Sequence, residues 1–139
     1  MILISHRGNL RGPDHSNANN PKQIKKTLDL GFDCEVDVWK ISENFFLGHD
    51  EPNYKVDKKF LENNKLWCHA KNLTALNGML NHGIHCFWHE SDKFTITSKG
   101  YIWTFPEEEV TRSSIIVHKD SGWKEKDYQC AGVCTDFII

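Results

Sequence analysis

Along the first half of the chain, apolar positions switch between strand spacing and helix spacing. Ile2 to Ser5 is a short apolar run ending at His6, and the polar stretch from Gly8 to Asn20, which carries Gly12-Pro13-Asp14, reads as a long loop. Pro21 suits the first turn of a helix over 21–30, where Ile24 and Leu28 stack one turn apart and Gly31 is the stop. Phe32 to Trp39 is a second strand, and Asn44 to Leu47 a short extension leading to Gly48-His49-Asp50. The pattern then predicts a brief helix over 57–63, a third strand over Leu66 to Ala70, an amphipathic helix over 73–82 closed by His82-Gly83, and a fourth strand over Ile84 to Trp88.

Beyond that point helical spacing nearly vanishes. Lys93 to Thr97, Tyr101 to Phe105, Ser114 to His118 and Gly132 to Ile138 are four more strand-like runs, separated by Ser98-Lys99-Gly100, Pro106-Glu107-Glu108-Glu109 and Asp120-Ser121-Gly122. Strand alternating with helix points to an α/β fold of parallel units, and eight strand candidates in one core suggest a compact (β/α)8 TIM-type barrel. Such barrels usually take about 200 residues or more, so within 139 residues several helices would have to shrink to turns. An incomplete or open α/β sheet is the runner-up. No internal repeat or low-complexity segment is visible.

Composition narrows the function classes. With 139 residues, 39% of them apolar, the chain matches the length of a single domain over 1–139 with one core. Seventeen basic against nineteen acidic residues, with no Lys/Arg run along a predicted face, argue against nucleic acid as the partner. The apolar start is too short for a signal peptide, and no stretch approaches the ~20 residues needed to span a bilayer, so a soluble protein without a membrane span is expected. Cysteines at 34, 68, 86, 130 and 134 form no Cys-x-x-Cys pair and leave an odd one over, which argues against a disulfide framework and a zinc ribbon and fits a reducing, cytoplasmic setting.

The chemistry concentrates at strand ends. Glu35 and Asp37 lie one residue apart in a strand and leave the sheet on one face, where a divalent cation would relieve their repulsion. His6 and Arg7 directly follow the first strand, with Gly8 allowing a sharp turn, and His49-Asp50 follows the strand pair that begins at Glu35. Arg7 offers a bidentate grip on phosphate, and two histidines provide an acid and a base for displacement at phosphorus. Lys71 and His69 share a face of the third strand, with Lys71 available to neutralise a phosphate oxygen. His85, Phe87 and His89 alternate on the fourth, where His89 is a candidate substrate or metal contact and His85 a core or surface histidine. Trp39, Trp88, Trp103 and Phe105 are candidates to line the crevice or to fill the core, and His15, His82 and His118 have no partner visible in the sequence.

His6-Arg7-Gly8-Asn9, Asn19 near the helix start, Glu35-Val36-Asp37-Val38 and Gly48-His49-Asp50-Glu51-Pro52 together resemble the glycerophosphodiester phosphodiesterase family, within the wider phospholipase-C-like phosphodiesterases. The resemblance is specific over residues 1–52 and returns at the end, where Gly132-Val133-Cys134-Thr135-Asp136-Phe137 looks like the family's closing Gly-x-x-x-Asp strand. It implies a (β/α)8 barrel, catalytic His6 and His49, a Glu35–Asp37 pair binding a divalent metal, and substrate-side roles for Asn19 and Lys71; the residues themselves add Arg7 and His89 as candidate substrate contacts, Mg²⁺ or Ca²⁺ with Mn²⁺ as a third candidate for the ion, and a small phosphodiester as substrate. Two positions depart from the family pattern. His69 stands where the family has a third metal-binding glutamate two residues before the lysine, which makes His69 a candidate ligand, and Ala18 stands where the family has the glutamate before Asn19. The rival reading is a metal- and phosphate-binding module without turnover. A purely structural domain with solvated carboxylates is a third.

Overall fold

The computed structural model describes residues 1–139. In chain order it contains β1 (Ile2–His6), α1 (Pro21–Asp29), β2 (Asp33–Ile41), β3 (Asn44–Leu47), β4 (Tyr54–Val56), α2 (Lys58–Leu61), β5 (Leu66–Ala70), α3 (Leu73–Asn81), β6 (Cys86–Phe87), β7 (Phe94–Ile96), β8 (Ile102–Thr104), β9 (Ser114–His118), a 3-10 turn (Ser121–Glu125) and β10 (Gly132–Thr135). Side-chain caps start all three α-helices: Asn20 accepts from Lys22 N, Asp57 from Phe60 N, and Asn72 from Ala75 N. Asn72 also bonds both backbone groups of Lys40, which ties α3 to β2.

All ten strands join one mixed sheet curled into a half-barrel. Its parallel part runs β8-β9-β10-β1-β2-β5-β6, while β3 and β4 continue from β2 as antiparallel hairpins and β7 pairs antiparallel with β8. The expected (β/α)8 TIM-type barrel is therefore corrected: three α-helices accompany ten strands, and three of those strands run antiparallel to their neighbours. The physical reason lies in connection length. A parallel crossover needs a dozen or more residues, but residues 97–101 alone join β7 to β8, and so short a link permits only a hairpin. The predicted fourth strand also shrinks to Cys86–Phe87, and the segment Tyr54–Val56 adds a strand that the hydrophobic pattern does not announce.

Strand alternation divides the core. Cys34, Val36 and Val38 of β2 point outward, where with Leu66 and Cys68 of β5 they pack under Ile24 of α1 and Ala75 and Met79 of α3. The opposite face lines the inside of the curl. There Ile4, Trp67, Phe87, Trp103, Ile115 and Cys134 form a second cluster, with Trp103 6.0 Å from Trp67 and 4.5 Å from Phe87 between ring centroids. Aromatic pairs of this kind add about 0.5–1.5 kcal/mol each beyond the area they bury. One step further along the strands, His6, Glu35, Asp37, His69, Phe105, Val117 and Asp136 rise above this apolar floor at the carboxyl ends of the parallel strands. No helix is long and apolar enough to cross a membrane.

Candidate active site

Register assembles the centre of the site. In the parallel ladders His6 pairs with Glu35 and, two residues further along β2, Asp37 pairs with His69, so three adjacent strands deliver their polar side chains to two successive levels of one face. Glu35 and Asp37 are 2% and 0% exposed. One ligand atom from each of Glu35, Asp37 and His69 can be chosen so that all three lie within 4.8 Å of one another. His69 Nδ1 is 3.2 Å from Asp37 Oδ1 and 3.8 Å from Glu35 Oε1. Glu35 Oε2 and Asp37 Oδ1 are nevertheless buried without a hydrogen-bond partner. Buried carboxylate oxygens left in that state are expensive, and a divalent cation is one partner that would satisfy both. The donor set of two carboxylates and an imidazole therefore fits a metal ion.

Positive φ values at Arg7 (57°) and Asn19 (63°), with Gly8 at 86°, fold the loop after β1 back over these carboxylates. Arg7 Nε comes to 3.0 Å from Asp37 Oδ2, close enough to pair by charge though not aligned for a hydrogen bond. Asn19 Nδ2 donates to Asp37 Oδ2 at 2.9 Å, its Oδ1 accepts from Asp37 N, and its own N–H donates to Arg7 O. Asn19, expected among the substrate contacts, is instead spent on holding Asp37 and is buried behind it.

His6 is oriented from the far end of the chain. Its Nδ1 donates to Asp136 Oδ1 at 2.8 Å, and Asn9 Nδ2 donates to the same oxygen at 2.7 Å. With Nδ1 engaged, Nε2 is the free ring atom, 3.7 Å from Glu35 Oε2. Asp136 figures in the sequence only as the end of a closing motif. Its pairing with His6 spans 130 positions and becomes visible only when β1 and β10 lie side by side.

The charges set one another's proton affinities. Burial, with the neighbouring Asp37, pushes the Glu35 carboxyl up to about 6, against the pull of His6, Arg7 and His69. Burial also opposes ionisation of Asp37, but the adjacent His69 and Arg7 outweigh it and hold Asp37 below the usual carboxylate range. Burial works against the charged form of His6 and His69 as well. Asp136 and Glu35 nevertheless raise His6 above its ordinary value, and Asp37 and Glu35 do the same for His69.

A cleft of about 300 Å³ opens over these groups, lined by His6, Arg7, Glu35 and His69 on one wall and by Trp103, Phe105, Val117, His118 and Lys119 on the other. His49 lines it too, from a turn that glycine alone permits: a Cβ at Gly48 would overlap Glu51 O. Its ring is 44% exposed, and its Nδ1 bonds Asp50 Oδ1 at 2.8 Å. His89 is at the rim, with Nδ1 on Asp92 Oδ2 at 3.0 Å and its backbone carbonyl accepting from His69 Nε2. Lys71 lies outside the lining. Lys119, just past β9, lines the cleft instead; a Lys after a strand carries no signature of its own in the sequence. Trp103 and Phe105 reach the cleft, whereas Trp39 donates to Gly48 O and Trp88 lies outside. His85 bonds Thr97 Oγ1 in the core, where burial lowers its pKa to about 4. No family model matches the sequence, and no curated protein or solved structure matches it either.

Proposed function

We propose that this protein cleaves a small phosphodiester in a metal-dependent reaction, as its motifs resembling the glycerophosphodiester phosphodiesterases imply. One observation carries the reading: a histidine oriented by a carboxylate stands beside two buried, partnerless carboxylate oxygens in a single cleft. A divalent ion held by Glu35, Asp37 and His69 would supply a Lewis acid for the phosphoryl group. Arg7, already committed to Asp37 through Nε, keeps its terminal N–H groups for a phosphate oxygen, and Lys119 offers an ammonium from the opposite wall. His6, fixed through Nδ1, exchanges a proton at Nε2 with one oxygen of the displacement, and His49 serves the other. The apolar floor beneath, with Trp103 and Phe105, keeps bulk water from one side of the cleft.

The assay that tests this is turnover of a phosphodiester panel by the parent, His6→Ala and His49→Ala. Each variant should lose roughly 10²- to 10⁴-fold in rate, the usual worth of a positioned acid or base. Variants that fold and keep parental rates would remove both histidines from the chemistry.

A further inference from the structure

Resting on the reading of Glu35, Asp37 and His69 as a metal centre, we propose that the centre selects a nitrogen-accepting ion of the Mn²⁺-to-Zn²⁺ series over Mg²⁺ or Ca²⁺, with His69 Nδ1 as a direct ligand. The choice is built into the backbone. His69 Nε2 lies 2.8 Å from the carbonyl oxygen of His89, and a carbonyl can only accept, so Nε2 carries the hydrogen. In the neutral ring the lone pair is then on Nδ1, the atom that faces Asp37 Oδ1 and Glu35 Oε1. Stacking on Phe87, with centroids 5.2 Å apart and planes 9° from parallel, holds the ring in this orientation.

Three electron pairs thus converge on one point, two of them from residues that are essentially buried and have an oxygen without a partner. With the ring neutral, such an arrangement repels itself unless a metal ion, or a proton shared between Nδ1 and Asp37, enters it. A hydrogen bond from the far ring nitrogen to a backbone carbonyl is the usual outer support of a metal-bound histidine, since it fixes the tautomer and raises the basicity of the ligating atom. Mg²⁺ and Ca²⁺ prefer oxygen throughout, while imidazole suits the later first-row ions. With a carboxylate at position 69 the centre would be more negative by one charge and wholly oxygen-based. The histidine therefore moves its preference away from the alkaline earths.

The test uses Mn²⁺ as the probe. Pulsed EPR of the Mn²⁺-loaded parent should show ¹⁴N coupling from a directly bound imidazole, retained in His6→Ala and lost in His69→Glu. Competition calorimetry should show the Mn²⁺-over-Ca²⁺ preference falling roughly tenfold or more in His69→Glu. Mn²⁺ bound without nitrogen coupling in the parent would overturn the inference, whatever the variants do. So would an unchanged Mn²⁺/Ca²⁺ ratio in folded His69→Glu, or no binding of any divalent ion. Nitrogen coupling in a parent that cleaves no phosphodiester would leave the inference standing and defeat only the proposed reaction.

Discussion

Replacing Glu35 by Gln should stabilise the metal-free protein at pH 8, because the substitution keeps the side-chain volume and removes a buried negative charge. The Glu35 carboxyl is raised from 4.5 to about 6 in the folded protein, and each unit corresponds to 1.36 kcal/mol, so ionising it there costs about 2 kcal/mol. Unfolding entropies of roughly 2.1 cal/mol/K per residue give about 0.3 kcal/mol/K for a chain of 139 residues, hence a melting temperature higher by about 7 °C. Calorimetry in chelator at pH 8 reads this directly. At pH 4, where the parent carboxyl is protonated, the gap should close. With divalent metal at about 100 times its Kd the order should invert, since the parent gains about 2.7 kcal/mol and the variant has lost a ligand. Should Glu35→Gln be as stable as the parent or less so in chelator at pH 8, the argument that an uncompensated charge is stored at the site is wrong.

The metal-free parent should lose stability as pH rises from about 6.5 to 8, above the range in which His85, lowered by burial to about 4, gains stability with pH and offsets Glu35. Glu35 holds its proton more tightly when folded, so its contribution falls between 4.5 and about 6, and the raised His6 and His69 contribute fully below 6.5 and lose that contribution as pH passes their folded values. A flat or rising chelated melting curve over that range would contradict these shifts. Asp136→Asn should cut turnover by roughly 10²-fold or more while leaving metal affinity unchanged, because it acts on the orientation of His6 alone; equal loss of metal binding would place Asp136 in the metal site instead. Gly48→Ala should disturb the His49 turn, since the added carbon overlaps Glu51 O, and chemical shifts confined to residues 47–53 together with reduced turnover are expected; an unperturbed spectrum would refute the steric argument.

Much of the site was legible because its parts sit in short local patterns. The Glu35-x-Asp37 spacing implies a shared strand face, and His6-Arg7-Gly8 and Gly48-His49 each combine a cleft-lining histidine with a glycine at positive φ in the adjoining turn. What escaped were pairings across the chain. Asp136 meets His6 through the β1–β10 ladder, Lys119 rather than Lys71 lines the cleft, and Asn19 turns inward to Asp37. The barrel expectation failed for a related reason. Apolar runs such as Phe94–Ile96 and Ile102–Thr104 announce strands but not their direction, which the five-residue connection 97–101 decided in favour of a hairpin.

The most direct test of the central claim is ³¹P NMR of a phosphodiester panel incubated with the protein, once with Mn²⁺ and once with excess chelator. The reaction with metal should convert at least one diester into a monoester or cyclic phosphate resonance, and neither chelated parent nor metal-loaded His6→Ala should do so. Diesters that persist unchanged in the presence of metal, or conversion that survives both the chelator and the loss of His6, would contradict a metal-dependent phosphodiesterase acting through this cleft.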